Sequence, residues 1–497
     1  MHMAHQTATV QNFTPRVLIF PFPAQGHVNC MLQLAELLGL AGIHVTFLNT
    51  DHVHRRLLQH ADIQARFAAY PGFLLRTISD GLPEDDPRSG NEMRHVLRSM
   101  LETTKPVLKG MLSTCGDILG SDSSPYITCI IADGIFGSLA NELGNELNIP
   151  VIHFRTISAC CFWIYFSVPD IIKAEELPIR GKEDMDRRIK SVAGMETFLR
   201  CRDLPSFCQV SDEMDPQLHL VARETRQSSR AQSLILNTYE DLEGPIVSHI
   251  RTHCPKTYTI GPLHAHLKVR LAKNVSTSTY TPSSNSIFEV DRSCMAWLDS
   301  QPFKSVIYVS FGSITVMKRD TLMEFWHGLV NSNKRFLWVV RPDMVAGEVG
   351  NDEIPAELVA ATRERGYLTG WVPQEEVLAH GAVGGFLTHS GWNSTLESIV
   401  AEVPMICWPY FADQPIISRY VGEVWKLGMD MKGVCDRKIV EKMVNDLMVE
   451  RREESARSTA EMARLARNSV NEGGSSYCNL DKLIEDIRLT RKRKSAP

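Results

Sequence analysis

A chain of 497 residues exceeds what one ordinary hydrophobic core organises, so two domains are expected. Its balance of 43% hydrophobic to 22% charged residues is that of a water-soluble globular protein, and a formal charge of −5 argues against a dedicated nucleic-acid binder. No apolar run reaches the roughly 18 residues of a membrane span. Twelve scattered cysteines without a CxxC pair read as reduced thiols of a cytoplasmic protein rather than a disulfide frame or zinc site. The polar N-terminus has no signal-like apolar core, and the basic end RLTRKRKSAP reads as a solvated tail.

Arg16 to Phe20 (RVLIF) is an apolar run that reads as a first buried strand. After Gly26, residues Val28, Met31, Leu32, Ala35 and Leu38 recur at helical spacing, with Gly39 and Gly42 closing the helix. Ile43 to Leu48 is a second strand. The opening is Rossmann-like but lacks G-x-G-x-x-G, so a dehydrogenase is disfavoured. His27 falls where the first strand hands over to the helix. It is either a helix-start histidine held by a neighbour or a functional group at the ligand edge of the sheet. Tyr126 to Ala132 is a further strand, and Asp133 at its carboxyl end could cap a helix or face a ligand. Val151 to Phe154 leads into Arg155 and Thr156. Phe162 to Asp215 gives no register and reads as pocket wall. Ser233 to Asn237 is a strand and TYEDLE a helix start, while Tyr258 to Leu263 closes an N-terminal domain, 1–263.

Residues 264–288, rich in Ser, Thr and Asn, read as an interdomain linker to a second domain at 289–476. Ser305 to Ser310 is a strand ending in the Phe311-Gly312-Ser313 turn, which suits a phosphate. Phe336–Val340 and Leu368–Trp371 read as parallel strands. Trp371 offers a flat indole for a base. Ala382–Leu387 reads as a strand, Thr388–Gly391 as a loop and Trp392–Val400 as a helix. The free amides of that helix start suit a diphosphate, with His389 and Ser394 as added donors and Glu397 as an acceptor for ribose hydroxyls. Met405–Trp408 is a strand, beyond which Asp413 and Gln414 could read sugar hydroxyls. From Asp436 the pattern is helical, broken at Asn471–Ser476, with a last helix from Tyr477 to about 490.

From Trp371 to Gln414 the chain resembles the nucleotide-sugar signature of plant family 1 UDP-glycosyltransferases, in residue types and spacing. The resemblance runs from the His27 loop to Gly473-Gly474-Ser475-Ser476. It implies the GT-B fold, two Rossmann-like domains facing a cleft, with the last helix packing back on the first domain. It implies that His27 is the general base, Asp133 its partner, and Thr156 a neighbour of the sugar. The donor would be held by Gly312, Ser313, Trp371, Val372, Gln374, His389, Gly391, Trp392, Asn393, Ser394, Glu397, Tyr410, Asp413 and Gln414. UDP-glucose is the implied donor, favoured over galactose by Gln414, with no metal or cofactor, no nucleic-acid partner and a monomer expected.

Three positions depart from the family pattern. Glu402 stands where Gly is usual, Ser390 where Cys is commoner, and Arg155 where Trp is usual. Arg155 needs an anionic or carbonyl partner, either a protein carboxylate or the acceptor. Phe154 to Cys161 (FRTISACC) is similar to relatives acting on iridoid and other terpenoid acids or alcohols, so inverting glucosylation of a hydroxyl or carboxyl of a small terpenoid is expected and a phenolic or flavonoid acceptor is the alternative. A non-catalytic nucleotide-sugar binder would need neither His27 nor Asp133. A GT-B phosphorylase would need a lysine-bound cofactor.

Overall fold

The computed structural model describes residues 14–86, 88, 93–114, 126–274, 285–345 and 356–492. The expectations for the N-terminal segment, the middle of the linker and the tip of the basic tail fall outside these residues. Two all-parallel sheets carry the chain. The first, of seven strands, runs β3-β2-β1-β4-β5-β6-β7. Its strands are β1 (Arg16–Phe20), β2 (His44–Thr50), β3 (Phe73–Ile78), β4 (Cys129–Asp133), β5 (Val151–Arg155), β6 (Ser233–Leu236) and β7 (Thr257–Thr259). The second, of six, runs β10-β9-β8-β11-β12-β13. It comprises β8 (Val306–Ser310), β9 (Arg335–Val339), β10 (Gly366–Thr369), β11 (Val383–Thr388), β12 (Met405–Cys407) and β13 (Gly428–Asp430).

Helices cover both faces of each sheet, so the central strands are buried throughout and read as unbroken apolar runs. In both sheets the order reverses beside the first strand, between β1 and β4 and between β8 and β11. A crevice opens at such reversals beyond the carboxyl ends of the strands. The loops after β1, β4 and β5 and those after β8, β11 and β12 therefore supply the site.

Eight helices frame the argument: α1 (Gln25–Leu40), α2 (Ala159–Lys173), α3 (Pro216–Arg226), α4 (Leu263–Asn274), α5 (Gln374–Ala379), α6 (Trp392–Val400), α7 (Arg452–Val470) and α8 (Ser475–Lys492). Helix α8 returns to the first sheet. Its Leu480, Leu483, Ile484 and Ile487 share a core with Val17, Ile19, Phe47 and Ile235. Ser476 Oγ donates to the Gly261 carbonyl at 2.6 Å and Arg488 to that of Ala41 at 2.7 Å.

Three readings of the sequence need correction. The stretch from Phe162 begins within a helix, α2, whose all-round apolar surface hides the helical period. The supposed linker starts as helix α4, whose Leu267 and Leu271 join the first-domain core. The strand expected to reach Trp371 ends at Thr369, which leaves the indole in the loop.

The domains are tied directly across the cleft. Trp392 Nε1 donates to the Asn237 carbonyl at 2.8 Å, and Asn393 Nδ2 donates to the Gly26 carbonyl at 2.7 Å. Ser206 and Ala412 exchange two bonds of 2.8 Å each.

Candidate active site

The loop after β1 turns through Pro21-Phe22-Pro23 into α1, and this places His27 in the first turn of the helix. Its Nδ1 lies 2.6 Å from Asp133 Oδ2 and 2.9 Å from Thr156 Oγ1. Asp133 is 2% exposed, so its acceptors are committed to protein donors. Oδ1 takes the Ile135 amide at 3.2 Å, and Oδ2 also takes the Phe22 amide at 3.4 Å. The carboxylate thus caps the next turn and orients the histidine at once. Burial alone would raise its pKa, but the charge and hydrogen bond of His27, with the charge of Arg155, hold it below the usual carboxylate value. An ionised Asp133 makes Nδ1 the protonated nitrogen, which leaves Nε2 as the available base.

The opposite wall comes from the second sheet. Gly312 has φ +73°, and a Cβ on it would lie 2.4 Å from His389 Nε2. A Cβ on Gly391 would meet the same nitrogen at 2.4 Å. Two bare backbones therefore press on this imidazole, and burial, reinforced by Arg341, lowers its pKa to about 4. His389 is a neutral donor at physiological pH. Helix α6 starts at Gly391 without a side-chain cap, so its first amides are free to meet an anion.

Gln374 sits in the first turn of α5. Its Nε2 donates to Ser394 Oγ at 2.9 Å and Glu397 Oε2 at 2.7 Å, while its Oε1 accepts from the Tyr308 hydroxyl at 3.0 Å. Burial and the nearby charge of Glu375 push the Glu397 carboxyl up, whereas Glu375, beside His264 and Lys268, keeps its charge. Burial pushes Asp413 up to about 7. Gln414 Oε1 accepts the amides of Tyr410 and Phe411, both at 2.8 Å, which fixes the loop after β12 and leaves its Nε2 for a ligand.

The two walls enclose one cavity of about 510 Å³. It brings together every residue expected from the sequence except Tyr410. The Tyr410 ring is 37% exposed and stacks on Trp408 instead, with centroids 5.9 Å apart. Trp371 lines the cavity and packs on Phe288 at 4.7 Å.

Sequence reasoning missed several contributors. Arg341, 3% exposed, donates to the carbonyls of Gly312 and Thr315 and so shapes the turn after β8. Asn285 and Ser286, from the supposed linker, line the cavity, as does Arg94, whereas Phe207 lines it from the stretch read as pocket wall. No motif pointed to Arg341, whose carbonyl partners lie 26 and 29 residues away in the chain.

This architecture is that of a two-domain GT-B glycosyltransferase. The rice (O. sativa) protein Os79, solved in complex with UDP, superposes with a TM-score of 0.77 at 28% identity, covering 95% of this chain and all of that one. A family model described as UDP-glucoronosyl and UDP-glucosyl transferase matches residues 283–447. Catharanthus roseus 7-deoxyloganetic acid glucosyltransferase is 56% identical over 478 residues, 96% of this chain and 98% of that protein. Crocosmia x crocosmiiflora myricetin 3-O-rhamnoside 1,2-glucosyltransferase is 43% identical, covering 95% of each. The chain belongs to the UDP-glycosyltransferase family and is an enzyme of that class.

Proposed function

We propose that the enzyme transfers glucose from UDP-glucose to a hydroxyl of a small terpenoid of the iridoid kind, with inversion to a β-glucoside. The observation that carries the chemistry is the 2.6 Å His27–Asp133 contact, placed across the cavity from the uncapped start of α6. His27 Nε2 takes the acceptor hydroxyl proton, the oxygen attacks the anomeric carbon, and the bond to the UDP oxygen breaks. Asp133 stabilises the imidazolium that forms. The diphosphate gathers charge as it leaves, and His389, Ser394 and the α6 amides are placed to receive it. Trp371 holds the base, Glu397 the ribose, and Asp413 with Gln414 the glucose.

In this reading the reaction needs no metal, because donors fixed in the fold meet the diphosphate. Among the described residues no helix is long and apolar enough to cross a membrane. We place the enzyme in the cytoplasm as a monomer. The terpenoid acceptor rests on the 56% identical relative, and a phenolic glycoside is the second reading, favoured by the 43% identical one.

Incubation of the purified enzyme and UDP-glucose with iridoid and phenolic acceptors, read by mass spectrometry, tests both. A hexose adduct on an iridoid is expected. Release of UDP without any adduct would remove the transferase reading. UDP-galactose at equal concentration should react much more slowly, and equal initial rates would take donor choice away from Gln414.

A further inference from the structure

Arg155 ends β5 on the acceptor side of the cavity, and it is 7% exposed. A buried guanidinium is costly unless a carboxylate or several acceptors meet it. Arg66, Arg88 and Arg341 follow that rule, pairing with Glu36, Asp80 and Asp343. Arg155 does not. Among the described residues no carboxylate forms an ion pair with it, and the hydrogen bond it makes runs from Nη2 to Thr225 Oγ1 at a long 3.4 Å. Phe162 lies beneath its guanidinium at 5.7 Å, which adds a face contact but no acceptor.

Asp133 and Glu224, whose charges act on Arg155, are already committed. Asp133 is held by His27 and the Ile135 and Phe22 amides. Glu224 takes the Ser138 amide at 2.7 Å, the Ser138 hydroxyl at 2.9 Å and Arg223 at 2.9 Å. The path of the side chain is also built. A Cβ on Gly134 would lie 2.2 Å from Arg155 Cδ, so only glycine leaves room for the arginine stem there. The next residue, Thr156, touches His27 Nδ1, so the guanidinium and the base stand on one wall.

We propose that Arg155 anchors a carboxylate of the acceptor, holding an acidic substrate so that its hydroxyl faces His27. This rests on the glucosyl-transfer reading and adds to it a specificity residue and a charge on the substrate. A planar guanidinium binds a carboxylate through two parallel N–H donors, which fixes orientation as well as affinity. Arg155 acts on the acceptor's position, while the proton goes to His27.

The test uses two acid and methyl-ester pairs, one iridoid and one phenolic, with wild type, Arg155→Gln and Arg155→Lys. For the acid, Arg155→Gln should raise KM roughly 10- to 100-fold with a much smaller change in kcat. For the matching ester the KM change should stay within a few-fold. Arg155→Lys should recover part of the loss on the acid, since it keeps charge but loses the planar fork. Equal losses on acid and ester, or a shifted pH profile of kcat with KM unchanged, would overturn the anchor and make Arg155 a support for the His27–Asp133 pair. Wild type that glucosylates no member of either pair would instead overturn the proposed function. The KM for UDP-glucose, measured on each variant, guards against a folding defect.

Discussion

At the scale of single residues, chemistry and electrostatics divide cleanly across the cleft. His27→Ala removes the proposed base but none of the proposed donor contacts, so glycoside formation should fall roughly 10²- to 10⁴-fold while UDP-glucose affinity stays near that of wild type. Steady-state rates beside donor titration check it, and a variant with over half its activity on an aliphatic alcohol would end the assignment. On the donor wall, Asp413 sits at about 7 against an ordinary 3.8 because it is buried. A carboxyl raised on folding contributes stability that is complete below 3.8 and is lost as pH climbs through 7. Asp413→Asn should therefore out-melt wild type by a margin that opens between those values and then levels, at most about 4 kcal/mol. Thermal melts of the ligand-free proteins across that range read it, and a pH-independent difference would remove Asp413 as the cause. Donor hydroxyls that bond the carboxylate would repay the same cost, so the variant should gain stability and lose sugar binding.

At the scale of elements, the strand–loop–helix units matter because they aim backbone at the ligand. Gly391→Ala would drive a methyl group to 2.4 Å from His389 Nε2, at the uncapped start of α6 where the proposal puts the diphosphate. The ring must move, so KM for UDP-glucose should rise at least about tenfold with acceptor KM little changed; an unaltered donor KM would show that the ring gives way freely. Elements of this kind were legible because apolar runs end in glycine and polar residues at fixed spacing, as from Val383 to Val400. Glu402 was legible as a departure, and the structure gives its reason. The residue has φ +58°, the left-handed turn where glycine is usual, and its side chain pairs with Arg467. Helix α2 was not legible, since eleven of its fifteen residues are buried and no polar face marks a period. The packing of the Tyr410 ring on Trp408 was not legible, because a motif position fixes the backbone but not where a ring packs. Arg341 was invisible because its role depends on contacts 26 and 29 residues away in sequence.

At the scale of the whole molecule, the chain crosses the cleft twice, and its last helix belongs to the first domain. Helix α8 places Leu480, Leu483, Ile484 and Ile487 in the core beneath the sheet that carries His27 and Asp133. Hydrogen bonds pin both ends, Ser476 to the Gly261 carbonyl and Arg488 to that of Ala41. The first domain thus depends on residues at the far end of the sequence. Leu483 is fully buried, and truncation to Ala should cost roughly 2–5 kcal/mol, from lost transfer energy and the cavity left behind. For a chain of this size melting as one unit that corresponds to a fall in Tm of roughly 2–5 °C. The bonds joining Asn393 to Gly26 and Ser206 to Ala412 couple the domains, so Leu483→Ala should lower a single calorimetric transition rather than split it. UDP should still raise that Tm, because Trp371, His389 and Glu397 are untouched. A variant that melts like wild type would show that α8 contributes little. Two separated transitions, with UDP protecting the later one alone, would show that the cleft contacts do not hold the domains as one unit.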